Sequence, residues 1–107
     1  MITYNKLIRD NIPEIIQKSG KHCEVRTLDE VSFKKELKKK LIEESKELSE
    51  AETKEDLVNE LADVKELYET ILKVHGIDEK MIEEKRKTKN KKNGAFEKRL
   101  FLVNVNE

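Results

Sequence analysis

The sequence predicts an all-α protein, built as an antiparallel helix bundle with short extended segments near the N-terminus and at the C-terminus. Two long segments, residues 28–51 and 54–75, repeat apolar side chains at the spacing of one face of an α-helix. Only a few residues near Glu52 connect them, and so short a connection favours antiparallel neighbours. Helix-capping residues stand close to the ends of both segments.

A short helix and an extended segment are expected before the two long helices. Pro13 suits the first turn of a helix, with Asn11 as a candidate cap. Gly20 suits the left-handed residue that ends it. The following HCEVRTL, residues 22–28, alternates in part, which predicts a strand or a loop.

Capping patterns set the expected starts of the long helices. Thr27 and Glu30 have the spacing of a capping box, so the first long helix is expected to begin near residues 28–31 and to run to about residue 51. Thr53, with Asp56 three residues later, can cap the second long helix, which should stop at Gly76.

The remainder of the chain predicts one more helix and a strand. Asp78 can cap a third long helix that ends before Gly94. The final AFEKRLFLVNV, residues 95–105, alternates like a terminal strand. With no repeat and no long linker, the sequence predicts a single domain over residues 1–107.

Composition limits the classes of function. Acidic and basic residues balance at 23 each, so a nucleic-acid partner is not expected. The chain lacks a signal sequence and a long apolar run, and Cys23 is its one cysteine. These features predict a cytoplasmic protein without a membrane partner. Only 36% of the residues are hydrophobic, which favours a helical oligomer whose subunits share a core.

Five acidic residues on the two long helices lie close to the apolar faces. On a helical projection of the first helix, Glu44 falls inside the apolar stripe, Glu47 at its edge and Glu43 one step further out. On the second helix, Glu60 and Asp63 lie on the extended flank of the apolar stripe. If the apolar faces of antiparallel helices meet, these carboxylates can approach each other.

Two interpretations of this acidic pattern remain open. Carboxylates in partly apolar surroundings repel one another and are costly to desolvate unless a cation neutralises them. A hard divalent cation with oxygen ligands would do so. The alternative is a solvated acidic flank that pairs with the many lysines.

The acids form the pattern EExxE, a gap of twelve residues, then ExxD. This pattern resembles the signature of the MazG-type all-α NTP pyrophosphatases. The opening YNKLIRDNIPEII, the stretches KKLIEESKEL and NELADVKEL, and the closing NGAFEKRLFL together look like one branch of that superfamily, labelled MazG-like or phosphoribosyl-ATP pyrophosphohydrolase-like. The resemblance covers almost the whole chain.

The resemblance implies a magnesium-dependent nucleoside triphosphate pyrophosphohydrolase, with Mn²⁺ as a substitute ion, that assembles as a homodimer or homotetramer. It would cleave the α–β phosphate bond to give a monophosphate and pyrophosphate, with non-standard nucleotides as one class of target. Glu44, Glu47, Glu60 and Asp63 would be the metal ligands. Glu43 would complete the catalytic set by supporting a ligand or orienting the water.

Basic side chains must hold the remaining phosphates of such a substrate. The resemblance points to two sources, which are Lys6 and Arg9 near the start and the lysine run with Lys85, Lys89 and Lys92. The branch has a basic residue and two glycines before the closing Phe. Here that stretch is NGAF, residues 93–96, so a lysine of the run would have to replace the missing basic residue.

Two other functions remain alternatives. One is the phosphoribosyl-ATP pyrophosphohydrolase of histidine biosynthesis, which breaks the same kind of bond. The other is a non-catalytic helical interaction module whose charges only keep a bundle in solution. His22, His75 and Cys23 lack the neighbours that a metal site or a nucleophile needs, so structural roles are expected for them.

Overall fold

The protein is all-α, as the sequence predicts. The computed structural model describes residues 1–106, where it contains four helices and no strand. The helices are α1 (Ile12–Lys18), α2 (Glu30–Glu50), α3 (Lys54–His75) and α4 (Glu79–Asn93). None of these helices is long and apolar enough to cross a membrane.

The chain divides into two compact units. The first is Met1–His75, which holds α1, α2 and α3, and the second begins at Gly76 and holds α4. The single domain expected over residues 1–107 stays a prediction.

The α2 and α3 helices pack against each other and form the body of the first unit. Only three residues separate the end of α2 from the start of α3, so the chain turns back at once and the two helices lie antiparallel. Leu37 of α2 and Leu72 of α3 are the buried apolar residues of the described chain, at 1% and 7% exposure. Most other side chains of the packed faces are only half-buried, so the core within this chain is small.

The helix starts agree with most of the capping predictions. Thr53 Oγ1 accepts a hydrogen bond from the Asp56 backbone N–H, and Asp78 accepts one from the Lys80 N–H. The predicted start of α2 near residues 28–31 is confirmed, but its predicted cap was wrong: the cap is Asp29, whose carboxylate accepts from the Ser32 N–H at 2.8 Å, and not Thr27. Thr27 and Asp29 can each accept from a backbone N–H three residues later, but only Asp29 directly precedes the first helical residue.

The predicted terminal strand is not formed. Residues 95–105 contain a bend at Phe96, a turn at residues 97–98 and no ladder. Alternation of side chains predicts a strand only where a partner strand can bond to its backbone, and the described residues include none. Residues 22–28 form a loop, which is one of the two outcomes that the sequence allowed.

Candidate active site

Three glutamates of α2 lie on neighbouring positions around one helical turn. One carboxylate oxygen from each of Glu43, Glu44 and Glu47 lies within 4.8 Å of the others. Their exposure differs, because Glu44 is buried, Glu43 is half-buried and Glu47 is exposed. The middle glutamate therefore points into the packed face, and the other two lie at its margin.

Two acids of α3 meet the buried glutamate. Oxygens of Glu44, Glu60 and Asp63 form a second group, again within 4.8 Å of one another. Glu44 belongs to both groups, so it joins the acids of α2 to those of α3. The expected approach of the α2 and α3 acids is therefore found for Glu44, Glu60 and Asp63, whereas Glu43 and Glu47 group with Glu44 but not with the α3 acids. The ligand roles of all five acids stay predictions.

Two oxygens in this cluster lack any hydrogen-bond donor. Glu44 Oε2 and Glu60 Oε2 are buried and have no hydrogen-bond partner. Glu44 is one of only three buried residues of the described chain, with 8% of its surface exposed. Buried carboxylate oxygens without a donor are strongly unfavourable. A divalent cation bound by oxygen ligands would satisfy both, so these residues fit a metal site.

The electrostatics of Glu44 reflect the same crowding. Burial raises the pKa of the Glu44 carboxyl to about 7, helped by a hydrogen bond with Glu47 and by the negative charges of Glu47 and Asp63. The positive charge of Lys40 opposes this rise in pKa. The cluster therefore disfavours a further negative charge and favours a positive one.

Three basic side chains surround the acids. The Arg9 guanidinium donates to Asp63 Oδ1 at 2.7 Å. Lys6 Nζ lies 3.7 Å from Glu43 Oε1, and Lys40 Nζ lies 3.2 Å from Glu43 Oε2. The predicted substrate-binding residues Lys6 and Arg9 are thus brought to the acids.

Lys40 is the residue at this site that the sequence reasoning missed. Its Nζ also lies 3.7 Å from Glu44 Oε1, and only 18% of its side chain is exposed. The signal was present, because Lys40 stands three residues before Glu43 and four before Glu44, a spacing that places them on one helix face. On the helical projection it falls at the edge of the apolar stripe, between Phe33 and Glu47, and apart from the other lysines.

A groove of about 910 Å³ opens beside the acids and the basic side chains. Lys40, Glu44 and Asp63 line one part of it, and residues 6–12 line another. Apolar side chains, among them Phe33 and Leu67, line the rest. The groove thus offers anionic, cationic and apolar surfaces together, as a site for a nucleotide and its metal requires.

The predicted lysines of the basic run lie on α4. Lys85, Lys89 and Lys92 are all exposed there, in the second compact unit. Within α4, Arg86 pairs with Glu83 at 2.6 Å. A role of these lysines in binding phosphate stays a prediction.

The remaining reactive side chains do not build a second site in residues 1–106. Cys23 is free and half-buried, and His22 and His75 are exposed. The groups of potential metal ligands in this part of the chain contain neither histidine nor cysteine. The α2–α3 cluster is therefore the candidate active site.

Comparison with known proteins agrees with this choice of site. The family model described as phosphoribosyl-ATP pyrophosphohydrolase matches residues 3–90, a span that contains all five acids and both basic residues near the start. No curated protein and no solved structure matches the chain.

Proposed function

The chain belongs to the phosphoribosyl-ATP pyrophosphohydrolase family, and on that premise we propose that it is a magnesium-dependent nucleoside triphosphate pyrophosphohydrolase. The family is one of hydrolases that act on phosphorus anhydrides. In the proposed reaction the α–β bond of the triphosphate is hydrolysed, giving a nucleoside monophosphate and pyrophosphate. Removal of non-standard nucleotides is the physiological role that we propose for it.

One observation carries the proposal. Oxygens of Glu44, Glu60 and Asp63 come from two helices to within 4.8 Å of one another, while the buried Oε2 atoms of both glutamates lack a hydrogen-bond donor. A cluster that served only to keep the protein in solution would face water, where each oxygen could be hydrated. Its burial beside a groove supports a bound cation instead.

The five acids would have two roles, which are to bind the metal and to orient the water. Glu44, Glu60 and Asp63 would hold Mg²⁺, or Mn²⁺ in its place, and Glu47 would contribute from the exposed side of the cluster. Magnesium would supply charge neutralisation and a more acidic bound water. Glu43, half-buried between Lys6 and Lys40, would accept a hydrogen bond from that water and orient it.

The basic side chains would bind the phosphates. Lys6 and Arg9 line the groove together with Lys40, and guanidinium and ammonium groups form strong charge-assisted hydrogen bonds to phosphate oxygens. They would neutralise the charge that gathers on the departing pyrophosphate. Lys85, Lys89 and Lys92 remain candidates for a further phosphate contact.

The test is a panel of nucleoside triphosphates, standard and modified, incubated with the purified protein with and without Mg²⁺. We expect monophosphate and pyrophosphate in equal amounts, only with the metal, and no orthophosphate. The Glu44→Gln variant is the matched negative control. Release of orthophosphate, or equal turnover by this variant, would contradict the proposal.

A second candidate substrate is phosphoribosyl-ATP, favoured by the description of the family whose model matches. The bond broken is again the α–β anhydride, so the acidic cluster serves either substrate. Measuring kcat/KM for phosphoribosyl-ATP beside ATP and the best nucleotide of the panel separates them. A preference of 100-fold or more for phosphoribosyl-ATP would assign the histidine-pathway reaction.

We also propose that the enzyme is a cytoplasmic homodimer or homotetramer. Support comes from α3, where the apolar side chains of Leu57 and Leu61 remain 39% and 52% exposed. A second copy of the chain could cover these side chains and enlarge a core that is small within one chain.

A further inference from the structure

The segment before α1 carries two basic side chains to the acidic cluster. We define the N-terminal arm as residues 4–9, which contain no helix or strand. From this arm, Arg9 donates to Asp63 Oδ1 at 2.7 Å, and Lys6 Nζ lies 3.7 Å from Glu43 Oε1. The arm thus supplies positive charge to Asp63 and Glu43, one acid on each of the two long helices.

The contact made by Arg9 is an exposed one. Its side chain is 61% exposed, whereas that of Lys40 is only 18% exposed. Lys40 also belongs to the same helix as its two partners, so its position is fixed by α2. Arg9 is therefore a counter-ion that can leave the cluster without repacking it, and Lys40 is not.

Arg9 and a metal ion would compete for the same carboxylate. Asp63 Oδ1 accepts the guanidinium N–H at 2.7 Å, and Mg²⁺ binds oxygen at about 2.1 Å. Both at that carboxylate would bring a dication within about 5 Å of a guanidinium, where like charges repel strongly. This repulsion favours withdrawal of one of the two, and the exposed side chain that can leave is Arg9.

We infer that Arg9 is the counter-ion of the metal-free cluster, that the divalent cation displaces it from Asp63, and that the freed guanidinium then binds the substrate phosphates. This inference rests on the proposed function, since it assumes that the cluster binds a metal. It adds an exchange of partners to that function. Arg9 neutralises Asp63 before the metal binds, and it neutralises the substrate phosphates afterwards. Asp63 and Arg9 line the same groove, so the exchange takes place inside one site.

The backbone limits the movement to the side chain. The Ile12 N–H donates to the Arg9 carbonyl oxygen at 3.1 Å, which holds the Arg9 backbone at the start of α1. The proposed exchange is therefore a movement of the Arg9 side chain within the groove, away from Asp63 and toward the substrate phosphates. Because its planar N–H groups suit a carboxylate and a phosphate equally, Arg9 can serve both partners in turn.

The test compares Arg9→Gln with a matched control, Arg86→Gln. The Arg86–Glu83 pair is also exposed, at 59% and 41%, with a short contact of 2.6 Å. Each variant removes one arginine and one surface ion pair, but only Arg9→Gln removes a competitor of the metal. Calorimetric titrations measure first the affinity for Mg²⁺ alone, then the affinity of the Mg²⁺-saturated protein for inorganic pyrophosphate.

We expect two effects of opposite sign in Arg9→Gln. Mg²⁺ should bind about two- to fivefold more tightly, which is the equivalent of one exposed ion pair. Pyrophosphate should bind about tenfold more weakly, because a charge-assisted contact is lost. Arg86→Gln should change neither affinity by more than twofold, and Arg9→Lys should fall between the wild type and Arg9→Gln in both titrations.

The outcomes of these titrations distinguish a failure of the proposed exchange from a failure of the proposed function. If the wild type binds Mg²⁺ but Arg9→Gln binds it with equal or lower affinity, Arg9 does not compete with the metal and the exchange is wrong. Unchanged pyrophosphate affinity in Arg9→Gln would overturn the second half of the exchange. If the wild type binds neither Mg²⁺ nor Mn²⁺, the proposed function itself fails.

Discussion

Lys40 stands one helical turn before Glu44, and its ammonium group lies 3.7 Å from Glu44 Oε1. The same group lies 3.2 Å from Glu43 Oε2. Lys40 therefore neutralises part of the charge of the buried glutamate, while Glu44 Oε2 has no hydrogen-bond partner. Lys40 thus contacts one oxygen of the Glu44 carboxylate, and the other oxygen is the one that a cation could bind.

We expect Lys40→Met to destabilise the metal-free protein by about 1–3 kcal/mol, because it leaves a buried carboxylate without its nearest positive charge. The measurement is chemical unfolding in the presence of a chelator. Saturating Mg²⁺ should reduce the loss, since the metal replaces the missing charge.

The matched control is Lys39→Met. Lys39 pairs with Glu36 at 3.3 Å but is 62% exposed, and we expect its loss to cost less than about 0.5 kcal/mol. Equal losses of stability in the two lysine variants would show that the charge of Lys40 does not stabilise the buried carboxylate of Glu44.

We expect Glu44→Gln to lower kcat by about 100-fold or more, because it removes a charged metal ligand while keeping the shape of the side chain. The metal-free variant should be at least as stable as the wild type at pH 8, since a neutral amide avoids the cost of burying the ionised carboxylate. Activity and melting temperature measured on the same preparation would separate these effects. Glu36→Gln, on the same helix and paired with Lys39, should leave kcat unchanged.

The stability of the metal-free protein should fall as pH rises through the window set by Glu44. Its pKa is raised to about 7 from an ordinary 4.5. Between these values the folded protein keeps a proton that the unfolded chain has released. The loss of unfolding free energy that comes from ionising Glu44 is therefore absent below pH 4.5. It grows through the window and is complete above pH 7, at no more than about 3 kcal/mol.

Chemical unfolding at several pH values between 4.5 and 8, in chelator, measures this dependence. The difference in stability between wild type and Glu44→Gln isolates the contribution of Glu44 from those of the other acids. That difference should change in favour of the variant as pH rises. A difference that is constant with pH would mean that Glu44 ionises normally. Mg²⁺ affinity should rise with pH over the same window, because the metal must displace the proton.

Much of the fold and of the acidic cluster follows from the periodicity of the sequence. The apolar stripes fix the packed faces of α2 and α3, and the short connection between them makes the helices antiparallel. The acids at the edges of those stripes must then meet. Thr53 and Asp78 mark two helix starts correctly, because capping depends on neighbours in the chain alone.

The parts that the sequence did not predict depend on partners distant in the chain. The contact between Arg9 and Asp63 joins residues 54 positions apart, and no local pattern encodes it. Residues 95–105 alternate like a strand, but pairing of a strand requires a second strand. Lys40 is a different case, because it lies close to its acidic partners in the chain. The α2 helix carries many water-facing lysines, however, and spacing alone does not show that the Lys40 ammonium group contacts Glu43 and Glu44.

The exposed part of the α3 stripe leads to an expectation about assembly. Leu61 is 52% exposed, so within one chain Leu61→Lys should cost little stability. If a second copy covers this side chain, the variant should instead dissociate into monomers and melt at a lower temperature, because a buried charge without a partner is strongly unfavourable. Sedimentation velocity at several protein concentrations measures the change. Gln17→Lys, which adds the same charge at an exposed position of α1, should leave the mass of the assembly unchanged, and a wild type that is monomeric at all concentrations would rule out the shared core.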